Sequence, residues 1–201
     1  MKKTLLSILV SLILLSGISG CASKPKPEAT IITFLDAYKQ SKVIDFTTVF
    51  EGDTSYMTNP LTTGTTPSAI TTKMMELILS YDYEITKSVI SKDGLTAVVS
   101  VKFTTVDLGK IFKAYITQSV AKTLELAFSG ATAAQISQAM TDLFLEVSKD
   151  APKDKVTTAE VKMVLVNKVW LIKGGEENLT FFDGIMGGFI STFKNLQTPV
   201  K

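Results

Sequence analysis

The sequence predicts an α+β domain: N-terminal helices, four antiparallel strands in two β-hairpins, a helical hairpin inserted between them, and a C-terminal helix. Three observations carry this. Leu95, Ala97, Val99, Val101 and Phe103 alternate with Thr96, Val98, Ser100, Lys102 and Thr104, the period-two pattern of a strand with one apolar face. Ala159, Val161, Met163 and Leu165 alternate in the same way with Glu160 and Lys162. Between the two runs the period lengthens to that of a helix, with Phe112, Ile116, Val120 and Leu124 in one stripe and Ile136, Met140, Leu143 and Val147 in another.

Along the chain, "ATIITFLDAYKQ" places Ile31, Leu35 and Tyr38 at helical spacing with Phe34 beside them. A second short helical piece is expected over residues 43–50. Residues 52–67, "GDTSYMTNPLTTGTTP", are dense in Thr, Gly and Pro and form a long loop of the kind that is functional or disordered in compact domains. Thr66 as N-cap and Pro67 at the first helical position open the next helix, whose apolar face is Ile70, Met74, Leu77 and Ile78. "YEITKSVI" is the first strand, and Lys92, Asp93 and Gly94 turn it into the second. Asp107 caps the first helix of the inserted hairpin and Gly130 ends it. Thr132 and Gln135 have capping-box spacing for the second, and Pro152 marks its exit. "KVWLIK" completes the second β-hairpin after a tight turn near Asn167.

The first 27 residues belong to something else. Lys2 and Lys3 are followed by a largely apolar run over residues 4–15 and then by small residues, the layout of an export signal. The apolar run is about a dozen residues, against the ~20 of a spanning helix, and "KPKPE" follows it. "ISGC", Ile18 to Cys21, resembles the lipobox of bacterial lipoproteins. That resemblance implies cleavage before Cys21, a diacylglyceryl group on its sulfur, and a fatty-acylated (palmitate-type) anchor on the extracytoplasmic face of the cell membrane. Cys21 is the chain's single cysteine, so no internal disulfide competes for it. Two acyl chains suffice for stable attachment where one is marginal. Pro25 and Pro27 favour an extended spacer. The organisation read from this is residues 1–20 signal peptide, 21–27 lipidated cysteine and linker, 28–195 a single domain, and 196–201 a tail.

Composition narrows the function classes. Of 21 basic and 19 acidic residues, Lys2 and Lys3 leave with the signal, so the mature chain balances at 19 against 19. Nucleic-acid binding needs a basic footprint, and none is present. The chain has no histidine and no arginine. It therefore lacks an imidazole base or metal ligand and a guanidinium fork. Cys21 is the one candidate site residue, for lipidation. No catalytic, cofactor-binding or metal-binding set is assigned.

The order of elements, with "VVSVKFTTVDLGKIF" over residues 98–112, resembles the nuclear-transport-factor-2-like lipoproteins, a cystatin-like fold with an uncharacterised Gram-positive group. The resemblance implies a curved, cone-shaped sheet that often holds a pocket; it implies no one chemistry. Two functions follow as alternatives. One is a non-catalytic module in the cell envelope that binds an envelope protein or a small apolar ligand, through the sheet pocket or the 52–67 loop. The other is a small-molecule enzyme, isomerase- or hydratase-like, using a pocket carboxylate with a tyrosine. Tyr38, Tyr56, Tyr81, Tyr83 and Tyr115 are the candidate phenols, and Asp36, Asp45 and Asp82 the candidate bases.

Other matches are cheap. The S-x-x-K pattern occurs at Ser23, Ser119 and Ser191 without S-D-N or K-T-G. "NLT" at Asn178 matches a glycosylation acceptor that a bacterial export signal leaves idle. Asp107 sits where a cap belongs. Residues 179–193, "LTFFDGIMGGFISTF", have Gly184 and Gly188 in a G-x-x-x-G arrangement. They form either a helix covering the sheet, with Phe189 in the core, or an exposed contact surface for lipid or protein.

Overall fold

The structure, a computed structural model, describes residues 25–54 and 68–197. Cys21, Tyr56, Thr66 and Pro67 lie outside the described residues. Within them the chain is α+β, with six α-helices and a five-stranded mixed sheet that does not close. The strands are β1 (Phe50–Glu51), β2 (Asp82–Ile90), β3 (Thr96–Thr105), β4 (Lys155–Val166) and β5 (Val169–Lys173), in the order β1-β5-β4-β3-β2. β2 to β5 are the expected antiparallel hairpins. β1 corrects the four-stranded expectation: it pairs parallel with β5, Phe50 opposite Ile172. The helical piece expected over residues 43–50 is present but shorter, a 3₁₀ turn over Phe46–Thr48 capped by Asp45, and Phe50 belongs instead to β1. A two-residue strand is too short to show a period, which is why its residues read as helical.

The β4–β5 turn has Asn167 and Lys168 both at positive φ, 50° and 66°, as the right-handed twist of a tight hairpin requires. Ala97, Val99, Val101 and Phe103 on β3 and Ala159, Val161 and Met163 on β4 point to one face and are buried, as the alternation predicts. Leu95 departs from that set: it precedes β3 in the turn and is exposed. The inner face is covered by α1 (Pro27–Lys39) through Ile31, Phe34 and Leu35, and by α5 (Leu179–Ile185) through Phe181, Phe182 and Ile185. Phe34 meets Phe50 edge-on at 5.0 Å, and Phe103 lies 5.7 Å from Phe181.

A second apolar cluster holds the helices together. α2 (Ala69–Leu79) starts two residues after the expected Pro67, with Ser68 accepting from the Thr71 N–H. Its Leu77 and Ile78 pack with Val106, with Leu108 and Ile111 of α3 (Leu108–Phe128), and with Phe144 of α4 (Ala133–Ser148). α3 and α4 are the inserted hairpin, and the Thr132–Gln135 capping box is present in full.

The single C-terminal helix is corrected to two. Gly187 and Gly188, at φ 56° and 79°, separate α5 from α6 (Phe189–Gln197). A Cβ at Gly187 would lie 2.1 Å from the Val106 carbonyl oxygen. A glycine is needed on both counts, and the chain there turns off the sheet. α5 covers the sheet as the first alternative required. Phe189 does not enter the main core: it is half-buried and meets Phe112 of α3 edge-on at 5.0 Å.

Candidate functional site

Register places the residues that open α1 on the sheet. The β2–β3 and β4–β5 turns share one end of it. There the Trp170 indole N–H donates to the Pro25 carbonyl at 2.9 Å, Thr30 Oγ1 donates to the Trp170 carbonyl at 2.8 Å, and Ser88 Oγ donates to Glu28 at 3.0 Å. This pole fixes the start of α1. α1 then crosses the inner face, and Lys39 reaches Asp82, the first residue of β2, at the opposite pole. Thirteen helical residues span about 20 Å. β3 ends and β4 begins at that second pole, so the α3–α4 hairpin leaves the domain on the side away from Pro25.

Asp107 secures the departure. Its carboxylate accepts from the Lys110 N–H at 2.9 Å and pairs with Lys155 at 3.1 Å, which is the capping role read from sequence. Gly109 lets α6 lie close, since a Cβ there would be 2.3 Å from Thr192 Oγ1. α3 packs on α4 along one side: Tyr115 meets Phe144 edge-on at 5.5 Å, and the Thr123 hydroxyl reaches Met140 Sδ at 3.6 Å.

The apolar stripe of α3 is elsewhere. Phe112, Ile116, Val120, Leu124 and Phe128 recur every four residues and form one ridge. α6 covers its first member, Phe112, with Phe189 and Phe193. Beyond that the ridge is bare: Ile116 is 39 % exposed, Val120 59 %, Leu124 53 % and Phe128 89 %. The sequence pattern implied an inward-facing stripe; the structure turns it outward, because α4 occupies the adjacent side of α3. Exposed apolar residues in a continuous row mark an interaction surface.

Several of the candidate enzyme residues gather where α1 meets β2: the Tyr81 and Tyr83 rings lie 6.3 Å apart, and Tyr38 and Asp36 are close enough to act on the Tyr81 phenol, while Tyr115 and Asp45 lie elsewhere. The Tyr83 hydroxyl donates to Asp36 at 2.6 Å. Burial, and then the Asp36 carboxylate, raise the Tyr83 phenol above its usual range, which makes it a weaker acid. Asp36 itself is exposed. Tyr81 is buried, donates to the Leu35 carbonyl at 2.6 Å, and is raised by burial and then by its neighbours. Tyr38 is raised by burial and packs against both apolar clusters. Tyr115 stands against Phe144. Asp45 accepts from the Thr47 N–H at 3.0 Å, and Asp82 pairs with Lys153 and Lys39. The sheet's inner face, where a pocket was expected, is filled by the aromatic rings of α1 and α5. An open groove of about 400 Å³ does lie at the hairpin root, lined by Asp107, Lys110, Glu146, Asp150 and Asp154 among others. Among the described residues no acidic cluster could hold a metal ion.

Asn178, of the "NLT" match, is 1 % exposed. Its amide accepts from the Lys162 N–H and donates to the Lys162 and Lys173 carbonyls, at 2.7 to 2.9 Å. It extends the β4 ladder past the end of β5 and is no acceptor for sugar. Ser119 Oγ donates to the Ile116 carbonyl while Lys122 binds Glu125, and Ser191 Oγ donates to the Gly188 carbonyl. These bonds are those of ordinary helical surface residues.

No family model matches the chain, and no curated protein matches it. Among solved structures it is similar to a Bacillus subtilis protein, YcdA, described as a "putative lipoprotein". The identity is 15%, 79% of this chain is covered, and the TM-score is 0.42. The chain spans 44% of that protein's length. No helix among the described residues is long and apolar enough to cross a membrane.

Proposed function

We propose that the chain is a lipoprotein, anchored through Cys21 to the extracytoplasmic face of the cell membrane, and that it serves as a non-catalytic interaction module presenting the α3–α4 hairpin to a protein surface. The observation that carries the second half is the bare ridge of Ile116, Val120, Leu124 and Phe128 on a helix that leaves the domain. The first half rests on "ISGC" and the short spacer after it; Pro27, read from sequence as part of that linker, is instead the first residue of α1, and the Pro25 carbonyl is held by Trp170. The spacer supports a particular orientation. Four residues from Cys21 to Pro25 reach at most about 14 Å, which keeps the Trp170 pole near the bilayer and leaves the hairpin root at the far pole. The resemblance to the nuclear-transport-factor-2-like lipoproteins of Gram-positive bacteria is retained in this reading, since α1 crosses the sheet formed by the two β-hairpins; the helical hairpin inserted after the 98–112 junction departs from that family's minimal fold. The filled inner face favours a partner over a small apolar ligand, and the surface position of Asp36 and Tyr83 gives the enzyme alternative no enclosed site.

The test is accessibility in intact cells. Leu124→Cys is exposed to a bulky, impermeant maleimide, with the parent chain as control for Cys21. Labelling much slower than at Lys42→Cys, and restored by denaturant, is expected of a covered ridge. Equal labelling at the two positions removes the reading.

A further inference from the structure

The partner that the ridge fits is a second copy of this chain. This rests on the hairpin's role as an interaction module and goes beyond it by naming what covers α3. Three observations select the occupant. The hairpin root lies at the pole opposite Pro25, so a short spacer does not bring the ridge to the bilayer by itself. The row beside the ridge is Lys113, Thr117, Ala121 and Glu125, all exposed. Its middle is small, so one helix offers both a ridge of large side chains and a groove to receive one. Its ends carry opposite charges. An antiparallel pair related by a two-fold axis beside Val120 sets Lys113 of each copy within two residues, about 3 Å along the helix, of the level of Glu125 of the other. A parallel pair sets like against like. The arrangement is self-complementary in shape and in charge, as an isologous interface requires.

We propose that two copies associate through α3 in antiparallel fashion, Ile116 of one beside Leu124 of the other and Val120 near its own counterpart. Phe128 sits at the rim. Lys122 keeps its contact with Glu125 at 2.9 Å within each helix, so each Glu125 stands between two lysines.

The native chain has one cysteine, at position 21, which makes cross-linking clean. Val120→Cys in the full chain, in its own membrane, is treated with a short bis-maleimide. A product of twice the chain's mass is expected, absent from the parent and from Gln138→Cys on α4. Adding Lys113→Glu should cut the yield several-fold, adding Glu125→Lys should do the same, and adding both should restore it. A yield indifferent to these swaps overturns the antiparallel pairing. No cross-linked pair, with Leu124→Cys still protected in cells, assigns the ridge to a different protein and leaves the presentation role standing. Protection of Leu124→Cys in vesicles carrying one copy each assigns the ridge to lipid and overturns the proposal. Neither cross-link nor protection overturns both readings.

Discussion

Asn178 shows how one side chain substitutes for a strand. Its amide satisfies both backbone groups of Lys162 and the Lys173 carbonyl in a site that water does not reach. Asn178→Ala should cost roughly 1–3 kcal/mol, because it leaves a buried N–H and carbonyls unpaired. Asn178→Asp should cost at least as much, since a carboxylate cannot donate to the two carbonyls. Urea unfolding of the three proteins decides it; an unchanged midpoint for Asn178→Ala would mean that water takes the amide's place. The strand facing is tested by a neighbouring pair. Val99 is fully buried and Ser100 is on the outer face, so Val99→Asp should unfold the domain by burying an unpaired charge. Ser100→Asp should be mild, and similar losses for the two would refute the facing. Asp82 supplies the pH dependence. Hydrogen bonds from Lys153 and then Lys39 hold its carboxyl below the usual range. A lowered folded value contributes stability above the ordinary carboxylate pKa, and that contribution is lost as pH falls through the folded value. Asp82 is 65% exposed, so the contribution is that of a surface pair, at most about 1 kcal/mol. Asp82→Asn should therefore be slightly less stable than the parent at neutral pH and indistinguishable from it well below pH ~4. A difference that grows on acidification would contradict this origin.

Elements divide into those whose cause is local and those whose cause is another element. β3, β4, the Asp107 cap and the Thr132–Gln135 capping box were legible in the sequence because alternation and capping act within a few residues. β1 was not, because two residues become a strand only by lying beside β5. The break between α5 and α6 was not, because Gly187 answers to the Val106 carbonyl, eighty-odd positions earlier in the chain. The Asp36–Tyr83 bond was hidden among fifteen possible pairs, since only the packing of α1 on β2 selects it. The α3 ridge is the instructive failure. Its period says helix and its composition says buried, but α4 and α6 decide which side of α3 is inside. This separation gives an element-level prediction. Phe182 of α5 has no exposed surface, and Phe182→Ala should cost roughly 3–5 kcal/mol. Phe189→Ala, in a half-buried residue, should cost less. Val120→Glu, in the bare part of α3, should leave the isolated subunit's stability within ~0.5 kcal/mol of the parent's, as for surface changes generally. Calorimetry at high dilution separates the three. A large loss for Val120→Glu would place the ridge inside the fold.

At the scale of the whole molecule the two poles do different work. One is pinned to the residues just before α1 by the Trp170–Pro25 bond, and the other carries the hairpin. The proposed mature chain, without Lys2 and Lys3, carries no net charge and would gain little from electrostatic attraction to a membrane, so the proposed anchor rests on Cys21. Cys21→Ala should abolish incorporation of a labelled fatty acid and leave an unprocessed or released protein; equal label in variant and parent would sink the lipobox reading. The same variant tests the link between anchor and hairpin. Tethering confines chains to a thin layer and raises their local concentration, which strengthens association without any new contact. Cross-linking through Val120→Cys should therefore fall when Cys21→Ala is added, although no residue of α3 has changed and the domain's unfolding midpoint stays the same. A cross-link yield unaffected by the loss of the anchor, at equal total protein, would show that the pair forms tightly on its own and that the membrane is only its address.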